Sequence, residues 1–403
     1  VSFLEAGRYS EAEFYRRLDA EIAGHDSVGI SANVSHASSA LEISAYIRKN
    51  HPGKKIIWGG PYPTTEYQKI IPDLADIAVL CEGERQISDI HDGKNLDDIP
   101  GIAYFKDGKV VANGPREFIE DLDGLPFPAW DLTDPHYYNT PGRRPTFSMI
   151  TQRGCPFKCI NCSTYMHGSR FRSRSPENIA DEIEMLVKDF GCREIHFWDD
   201  NFTLEPERVK KICSEIIRRG LEKKVRFALS SGIRADIYDE EMFDMLKKAG
   251  TYFINVAVES GNQDVINQIG KNLDLTKVRR TLSYLEGKGF RIGLFFMMGF
   301  PFETVSSMKE TAEFAASLPG HHLYLSMVTP LPGTKLFEMV SGKKIILEHY
   351  SSDYVEYETG GMRHAPPQNF TEKDLCRMRR LAYRKFYLSP RRLLSILKAV
   401  IRD

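Results

Sequence analysis

Cys155, Cys159 and Cys162 stand at x3 and x2 spacing within a single short stretch that opens on Gly154. Three thiolates so placed can hold three irons of a cubane cluster and leave the fourth iron open to another ligand. Protein iron–sulfur sites are ordinarily closed by four cysteines, so an open corner marks a working redox site rather than a structural one. A rival arrangement is a zinc knuckle of Cys155, Cys159, Cys162 and His167, because zinc also accepts three cysteines and a histidine at short spacing. That would make the chain a non-catalytic binding module. The residues downstream of the motif argue against zinc, since a knuckle does not require a long run of alternating strands and helices after it.

Such a run is present. From residue 146 onward, strands are predicted over 147–151, 194–198, 226–230, 253–258, 292–298 and 323–328, and helices over 176–188, 206–218, 240–248, 263–288 and 306–316. Alternation of this kind predicts a parallel α/β sheet closing toward an incomplete barrel. Ser175-Pro176-Glu177 supplies one helix start, with proline in the first turn. Ahead of the cysteines, 26–33, 54–60 and 76–80 read as strands and 37–49 as a helix, which makes a second, smaller parallel sheet. Gly59-Gly60-Pro61 follows its strand directly, where backbone can approach a ligand at the carboxyl end of an open sheet. Residues 101–113 alternate about Lys106-Asp107-Gly108 as a β-hairpin. Residues 114–142, rich in proline and aromatics, read either as a plain connection or as a strap across the lobes, and Asp89-Ile-His91-Asp-Gly93 reads as a polar turn.

The cysteine spacing resembles the signature of the radical S-adenosylmethionine (SAM) superfamily. Val28-Gly-Ile-Ser31, Gly59-Gly60-Pro61 and Cys81-Glu82-Gly83-Glu84 resemble the cobalamin-binding lobe that precedes many of its barrels. The resemblance implies a Rossmann-like lobe at 1–115, a linker at 116–142, a partial (β/α)6 barrel at 143–335 and a helical extension at 336–403. It implies a 4Fe-4S cluster on Cys155, Cys159 and Cys162, reduced by a flavodoxin or ferredoxin-type donor, with SAM chelated at the open iron and split to a deoxyadenosyl radical. By the same resemblance, Asp199 and Asp200 receive the SAM amino group, while Ser230 and Arg234 hold ribose and carboxylate. Glu259 and Ser260 meet ribose hydroxyls, Pro301 lies in the segment against adenine, and Ser31, Gly59 and Gly60 belong to the cobalamin side. Plainer readings stand beside these: Asp199-Asp200-Asn201 as a helix cap, and Arg234 paired with Asp236 or Glu259 for structure alone.

Two departures from the pattern matter. Asn161 stands before the third cysteine, where an aromatic residue is common. The family's first strand and the following loop, with its Asp-x-His-x-x-Gly motif for an axial histidine, have no counterpart, so the lobe is expected to be truncated. The reaction implied is hydrogen abstraction from an unactivated carbon of a small-molecule, lipid or tetrapyrrole-like substrate, with cobalamin-dependent methyl transfer or ring formation. The alternative is a cobalamin-independent enzyme whose first lobe shapes the substrate site. A methylthiotransferase would need a second cysteine cluster, for which only Cys81 is at hand.

The 54 basic residues against 55 acidic ones argue against nucleic acid as an obligatory partner, which a basic excess would announce. Apolar runs are too short to span a membrane. Seven cysteines with one tight cluster are the reverse of a secreted disulfide framework and point to a reducing cytoplasm, with no secretory leader expected. Cys192, Cys213 and Cys376 read as small buried hydrophobes, and His196, Met297 and Met298 as interior filling. The tail from 371 reads as two helices broken at Ser389-Pro390. Its basic residues, Arg377 to Arg402, beside Leu393, Leu397 and Val400 suit either an anionic membrane surface or a packed helix with a solvated basic face.

Overall fold

The structure, a computed structural model, describes residues 2–135, 137, 144–163, 166–341, 369–389 and 392. In the first lobe β1 (Ser27–Ser31), β2 (Lys55–Gly59) and β3 (Ile77–Val79) run parallel, and β4 (Ile102–Lys106) and β5 (Lys109–Ala112) join them antiparallel in the order β1-β2-β3-β4-β5. The sheet is therefore mixed rather than wholly parallel. Its hairpin turns on Asp107 and Gly108, both at positive φ (50° and 80°), which matches the twist of paired strands. The run Ile56-Ile57-Trp58 is buried because helices cover both faces of β2. These helices are α1 (Glu11–Ala23), α2 (Ala37–Asn50), α3 (Pro61–Ile70) and α4 (Glu84–His91). The segment Asp89 to Gly93, expected as a polar turn, is instead the last turn of α4 and its exit. Gln86 and Ile90, at i and i+4, are buried on one helix face, and that packing outweighs the polar look of the sequence.

The second sheet is parallel throughout, in the order β13-β12-β11-β10-β9-β6. It comprises β6 (Thr146–Met149), β9 (Glu194–Phe197), β10 (Arg226–Ile233), β11 (Thr251–Glu259), β12 (Arg291–Met298) and β13 (His322–Met327). Between β6 and β9 lie β7 (Gln152–Arg153) and β8 (Arg172–Ser173), a two-residue antiparallel ladder too short to show as a period in the sequence. Around the sheet wrap α5 (Pro176–Phe190), α6 (Pro206–Arg218), α7 (Glu240–Lys248), α8 (Gln263–Ile269), α9 (Leu275–Gly287), α10 (Val305–Ser317), α11 (Lys335–Ser341) and α12 (Glu372–Tyr387). Caps fix their starts: Ser175 accepts from Asn178 N ahead of α5, Asp239 from Met242 N ahead of α7, and Thr304 and Ser307 form a reciprocal box on α10.

One core joins the strands to the helices, with Phe227, Ile254, Ile292 and Phe296 nearly or fully buried. Phe370, Leu375, Met378 and Phe386 belong to it too, so the described part of the C-terminal extension is integral to the barrel. Each such side chain stabilises the fold by roughly 1.5–3 kcal/mol relative to exposure. The open barrel has two edges. On β13, the amides of Leu323 and Leu325 donate to the hydroxyls of Tyr387 (2.9 Å) and Tyr383 (3.4 Å) of α12. Beside β6 the linker packs as a strap: Ile119 and Leu122 are buried, and Trp130 sets its ring edge on Phe147 and donates to Glu182 at 3.2 Å.

Of the basic tail, Arg377, Arg380, Arg384 and Lys385 are exposed on α12, and Lys385 pairs with Glu313 at 2.9 Å. Arg392 is buried, donates to Leu318 O at 2.6 Å and lies over Phe386, so it is not part of a free basic face. Leu393, Leu397 and Val400 lie outside the described residues. Among the described residues no helix is long and apolar enough to cross a membrane.

Candidate active site at the carboxyl ends of the barrel strands

The loop that carries the three cysteines leaves β7 through Gly154, at φ +87°. A Cβ there would sit 2.0 Å from Arg170 O, so only glycine fits. Backbone bonds fasten the loop at four points: Gly154 N to Asp200 Oδ2 (2.7 Å), Cys155 N to Gly168 O (3.2 Å), Ile160 N to Ile269 O (2.9 Å) and Leu336 N to Ile160 O (2.8 Å). Ile160 is buried against Phe300, Val328 and Leu336. Cys155 is buried, Cys159 half-buried and Cys162 exposed. Burial pushes the Cys155 and Cys159 thiols up, while the cations of Arg234 and Lys271 work in the opposite sense and favour the thiolates.

The sequence-predicted residues lie at successive strand ends, but with distinct roles. Asp199 is fully buried. It accepts from Thr151 N (2.5 Å), Thr151 Oγ1 (2.8 Å) and Gln152 N (2.8 Å), so its carboxylate ties the start of β7 to the end of β9. Burial raises its pKa against the pull of nearby Arg208. Asp200 is partly exposed and takes Gly154 N and His167 Nδ1 (3.0 Å). Burial would raise its carboxyl, but the His167 bond and charge bring it below the usual range. His167 Nδ1 is thus engaged with a carboxylate.

Ser230 meets His196 Nδ1 at 3.0 Å, and His196 Nε2 meets Glu194 Oε1 at 2.8 Å, with Tyr252 OH on the same oxygen at 2.6 Å. His196, expected as interior filling, is instead bonded at both ring nitrogens. Arg234 pairs with Asp236 through both Nε (3.0 Å) and Nη2 (2.6 Å), and its guanidinium lies 3.7 Å from the ring centroid of Phe157 in the cysteine loop. Of the two structural pairings expected for Arg234, the structure shows that with Asp236. Glu259, at φ +72°, accepts from Lys271 Nζ at 2.8 Å, and Ser260 is fully buried against Thr311 Oγ1 at 2.9 Å. Pro301 lies in a turn held by Glu303, whose Oε2 takes Gly299 N (2.6 Å) and Phe300 N (2.9 Å). Asn161, where the family commonly has an aromatic residue, donates to Met297 Sδ at 3.3 Å.

Sequence reasoning missed Lys271, His167 as the partner of Asp200, and Glu303. Lys271 falls in the break between α8 and α9, which the apolar pattern reads straight through. Gly270 and Asn272 on either side of it have positive φ, and Gly270-Lys271-Asn272 was the available cue.

In the first lobe, Ser31, Gly59, Gly60 and Cys81 share one end of the sheet. Ser31 is exposed, and a Cβ on Gly59 would meet nothing within 4 Å. Gly60, at φ +96°, would place a Cβ 2.8 Å from Ala32 O. Thr64 Oγ1 binds both Gly60 O (2.9 Å) and Cys81 N (3.0 Å).

A 4Fe-4S cluster fits the chemistry of the donor set: three thiols on one loop, bordered by two cations that offset thiolate charge. Among the described residues no three His, Cys, Asp or Glu side chains are gathered tightly enough to hold a metal.

Residues 149–315 match the family model described as Radical SAM superfamily. The chain is 29% identical over 392 residues to an uncharacterized methyltransferase of Pyrococcus horikoshii, covering 95% of this chain and 82% of that one. It is 24% identical to an anaerobic magnesium-protoporphyrin IX monomethyl ester cyclase of Rubrivivax gelatinosus, over 88% of this chain and 67% of the other. Its fold is similar to that of TsrM, a radical SAM methyltransferase from Kitasatospora setae solved with cobalamin and a 4Fe-4S cluster bound. The TM-score is 0.67 at 18% identity, over 82% of this chain and 68% of that one. Taken with the cysteine loop and its strand-end surroundings, these likenesses show that residues 149–315 form a domain of the radical SAM superfamily, whose cofactors are a 4Fe-4S cluster and SAM, in an enzyme related to methyltransferases and cyclases.

Proposed function

We propose that this radical SAM enzyme modifies an unactivated carbon of a small-molecule or lipid- or tetrapyrrole-like substrate, by cobalamin-dependent methyl transfer or by ring formation. The observation that carries the reading is the setting of Cys155 and Cys159 against Arg234, Lys271 and Glu259 at the ends of β10 and β11. The names of the relatives support methyl transfer and cyclisation alike. When bound and reduced by a flavodoxin or ferredoxin-type donor, the cluster supplies the electron for reductive SAM cleavage. The chain's own residues would do the placing. Cys155, Cys159 and Cys162 hold iron, Asp200 presents a carboxylate to the SAM ammonium, and Arg234 and Lys271 meet the SAM carboxylate. The turn at Pro301, fixed by Glu303, would bound the adenine.

On the first lobe, exposed Ser31 and the open space over Gly59 leave room for a large planar cofactor to approach. The second reading is that this lobe only shapes the substrate site. The test is anaerobic reconstitution, dithionite reduction and SAM, scoring 5'-deoxyadenosine and S-adenosylhomocysteine with and without methylcobalamin, in wild type and Cys159→Ala. Cysteine-dependent deoxyadenosine with cobalamin-dependent S-adenosylhomocysteine supports methyl transfer. Deoxyadenosine alone, with no spectral change on adding cobalamin, supports the cobalamin-independent reading.

A further inference from the structure

The cysteine loop hangs from the two-residue ladder of β7 and β8, and in that ladder Arg153 and Arg172 are direct cross-strand partners. Two like charges facing each other across a ladder oppose pairing, and the cost grows with burial: the Arg172 side chain is 2% exposed and that of Arg153 19%. The counter-charges come from the first lobe, in the Cys81-Glu82-Gly83-Glu84 segment that follows β3.

Glu82, 5% exposed at its side chain, grips Arg172 with both oxygens (2.8 and 3.0 Å) and reaches Arg153 at 3.3 Å. Glu84 takes Arg153 Nη2 at 2.6 Å. The remaining bonds draw in the strap and the loop itself: Arg172 donates to Ile119 O (2.6 Å) and His167 O (2.7 Å), and Ile119 N donates to Glu82 at 2.8 Å. Burial would raise the Glu82 carboxyl, but Arg172, Ile119 and Arg153 together hold it below its usual range. Two guanidiniums, one on each strand of the loop's neck, thus meet two carboxylates from another lobe.

We propose that Glu82 and Glu84 are positioning residues for the cluster site: the first lobe holds closed the neck from which Cys155, Cys159 and Cys162 hang, so the order of that loop depends on the lobe. Removing one carboxylate leaves paired, buried positive charge at the neck. The loop should then open, although the barrel core, built on apolar packing of its own, stays folded.

The test is hydrogen exchange by mass spectrometry on the full chain, comparing residues 154–171 with β2 and with β10 to β12. Glu82→Gln is expected to speed exchange in the loop by at least roughly tenfold while the core strands keep theirs, the pattern of a local opening. Glu84→Gln, at a more exposed side chain, should show a smaller effect in the same segment. Glu82→Gln with Arg172→Gln should recover toward wild type, because the uncompensated charge is gone.

Iron and sulfide per chain after reconstitution should follow the same order, as should the electron paramagnetic resonance signal of the reduced cluster. The iron readout rests on the radical SAM reading; the exchange readout does not, so failure of one is distinguishable from failure of the other. Wild-type loop exchange in Glu82→Gln, or acceleration spread evenly over loop and core, overturns the proposal. If Glu82→Gln does not fold, Glu84→Gln and Arg153→Gln decide it, and unchanged loop exchange in both overturns it.

Discussion

At the carboxyl end of the barrel sheet, one strand after another delivers a charged or hydroxyl side chain that already has a partner: Asp200 with His167, Arg234 with Asp236, Glu259 with Lys271, Ser260 with Thr311. The carboxyl end of the first sheet is furnished with Ser31, Gly59, Gly60 and Cys81, and its buried charge, Glu82, is turned away to the neck of the cysteine loop. The contrast separates two ways of meeting a ligand. The barrel end offers preset ionic partners suited to thiolates, iron and the zwitterion of SAM, whereas the lobe end offers bare backbone and space.

That contrast can be broken most sharply at the cysteines. Cys155→Ala is expected to reduce bound iron and SAM cleavage to background while leaving any spectral titration of the first lobe by cobalamin as in wild type. Joint loss of both would make the two ends one site.

The next largest effect belongs to Glu303, which is confined to the barrel end. Its carboxyl is pushed up from 4.5 to about 7 by burial, against two stabilising backbone bonds. With the folded value above the unfolded one, the unfolded chain gives up its proton first as pH rises. This contribution to stability is therefore whole below pH 4.5, falls through the interval up to about 7 and is then level. The total loss is at most roughly 3 kcal/mol. Glu303→Gln keeps an oxygen for Gly299 N and Phe300 N and should melt a few degrees above wild type at pH 8, with little gain at pH 4.5. Parallel melting curves at the two pH values would show that the group ionises freely.

On the lobe side, Gly60→Ala forces a Cβ against Ala32 O at positive φ and should destabilise the lobe by about 1–3 kcal/mol. Iron content and SAM cleavage are expected to survive, as measured beside the lobe's own exchange rates. Ser31→Ala, at an exposed position, should change stability by less than about 0.5 kcal/mol. Its effect should be seen only in a cobalamin titration, and none there would remove Ser31 from the lobe's ligand surface.

Much of this is legible in the amino-acid sequence. The six barrel strands follow the apolar period to within a residue or two at most ends, because each is walled by helices and must be apolar on its outer face. The cysteines are legible because their ligand chemistry fixes their spacing. The features that stay hidden depend on contacts between distant parts of the chain. The ladder of β7 and β8 has no period, and the Arg153 to Glu84 bond spans 69 residues. Asp199 and Asp200 are adjacent and alike in sequence, yet one is a sealed clasp on Thr151 and Gln152 and the other meets Gly154 and His167, partners more than thirty residues away in the chain. His196 escapes the sequence for the same reason: its two partners lie on its own strand and on the next one.

The tyrosine hydroxyls that cap β13 bear on how this chain behaves in a crowded solution. An incomplete barrel presents raw strand edges, and a free row of amides is a template for a second chain. Tyr383 and Tyr387 occupy two of those amides from a helix about sixty residues downstream in sequence, while the aromatic strap lies over the opposite edge at β6. The gap that a substrate needs can thus stay open without inviting strand exchange between neighbours, and loss of both hydroxyls would be felt first as self-association at high concentration.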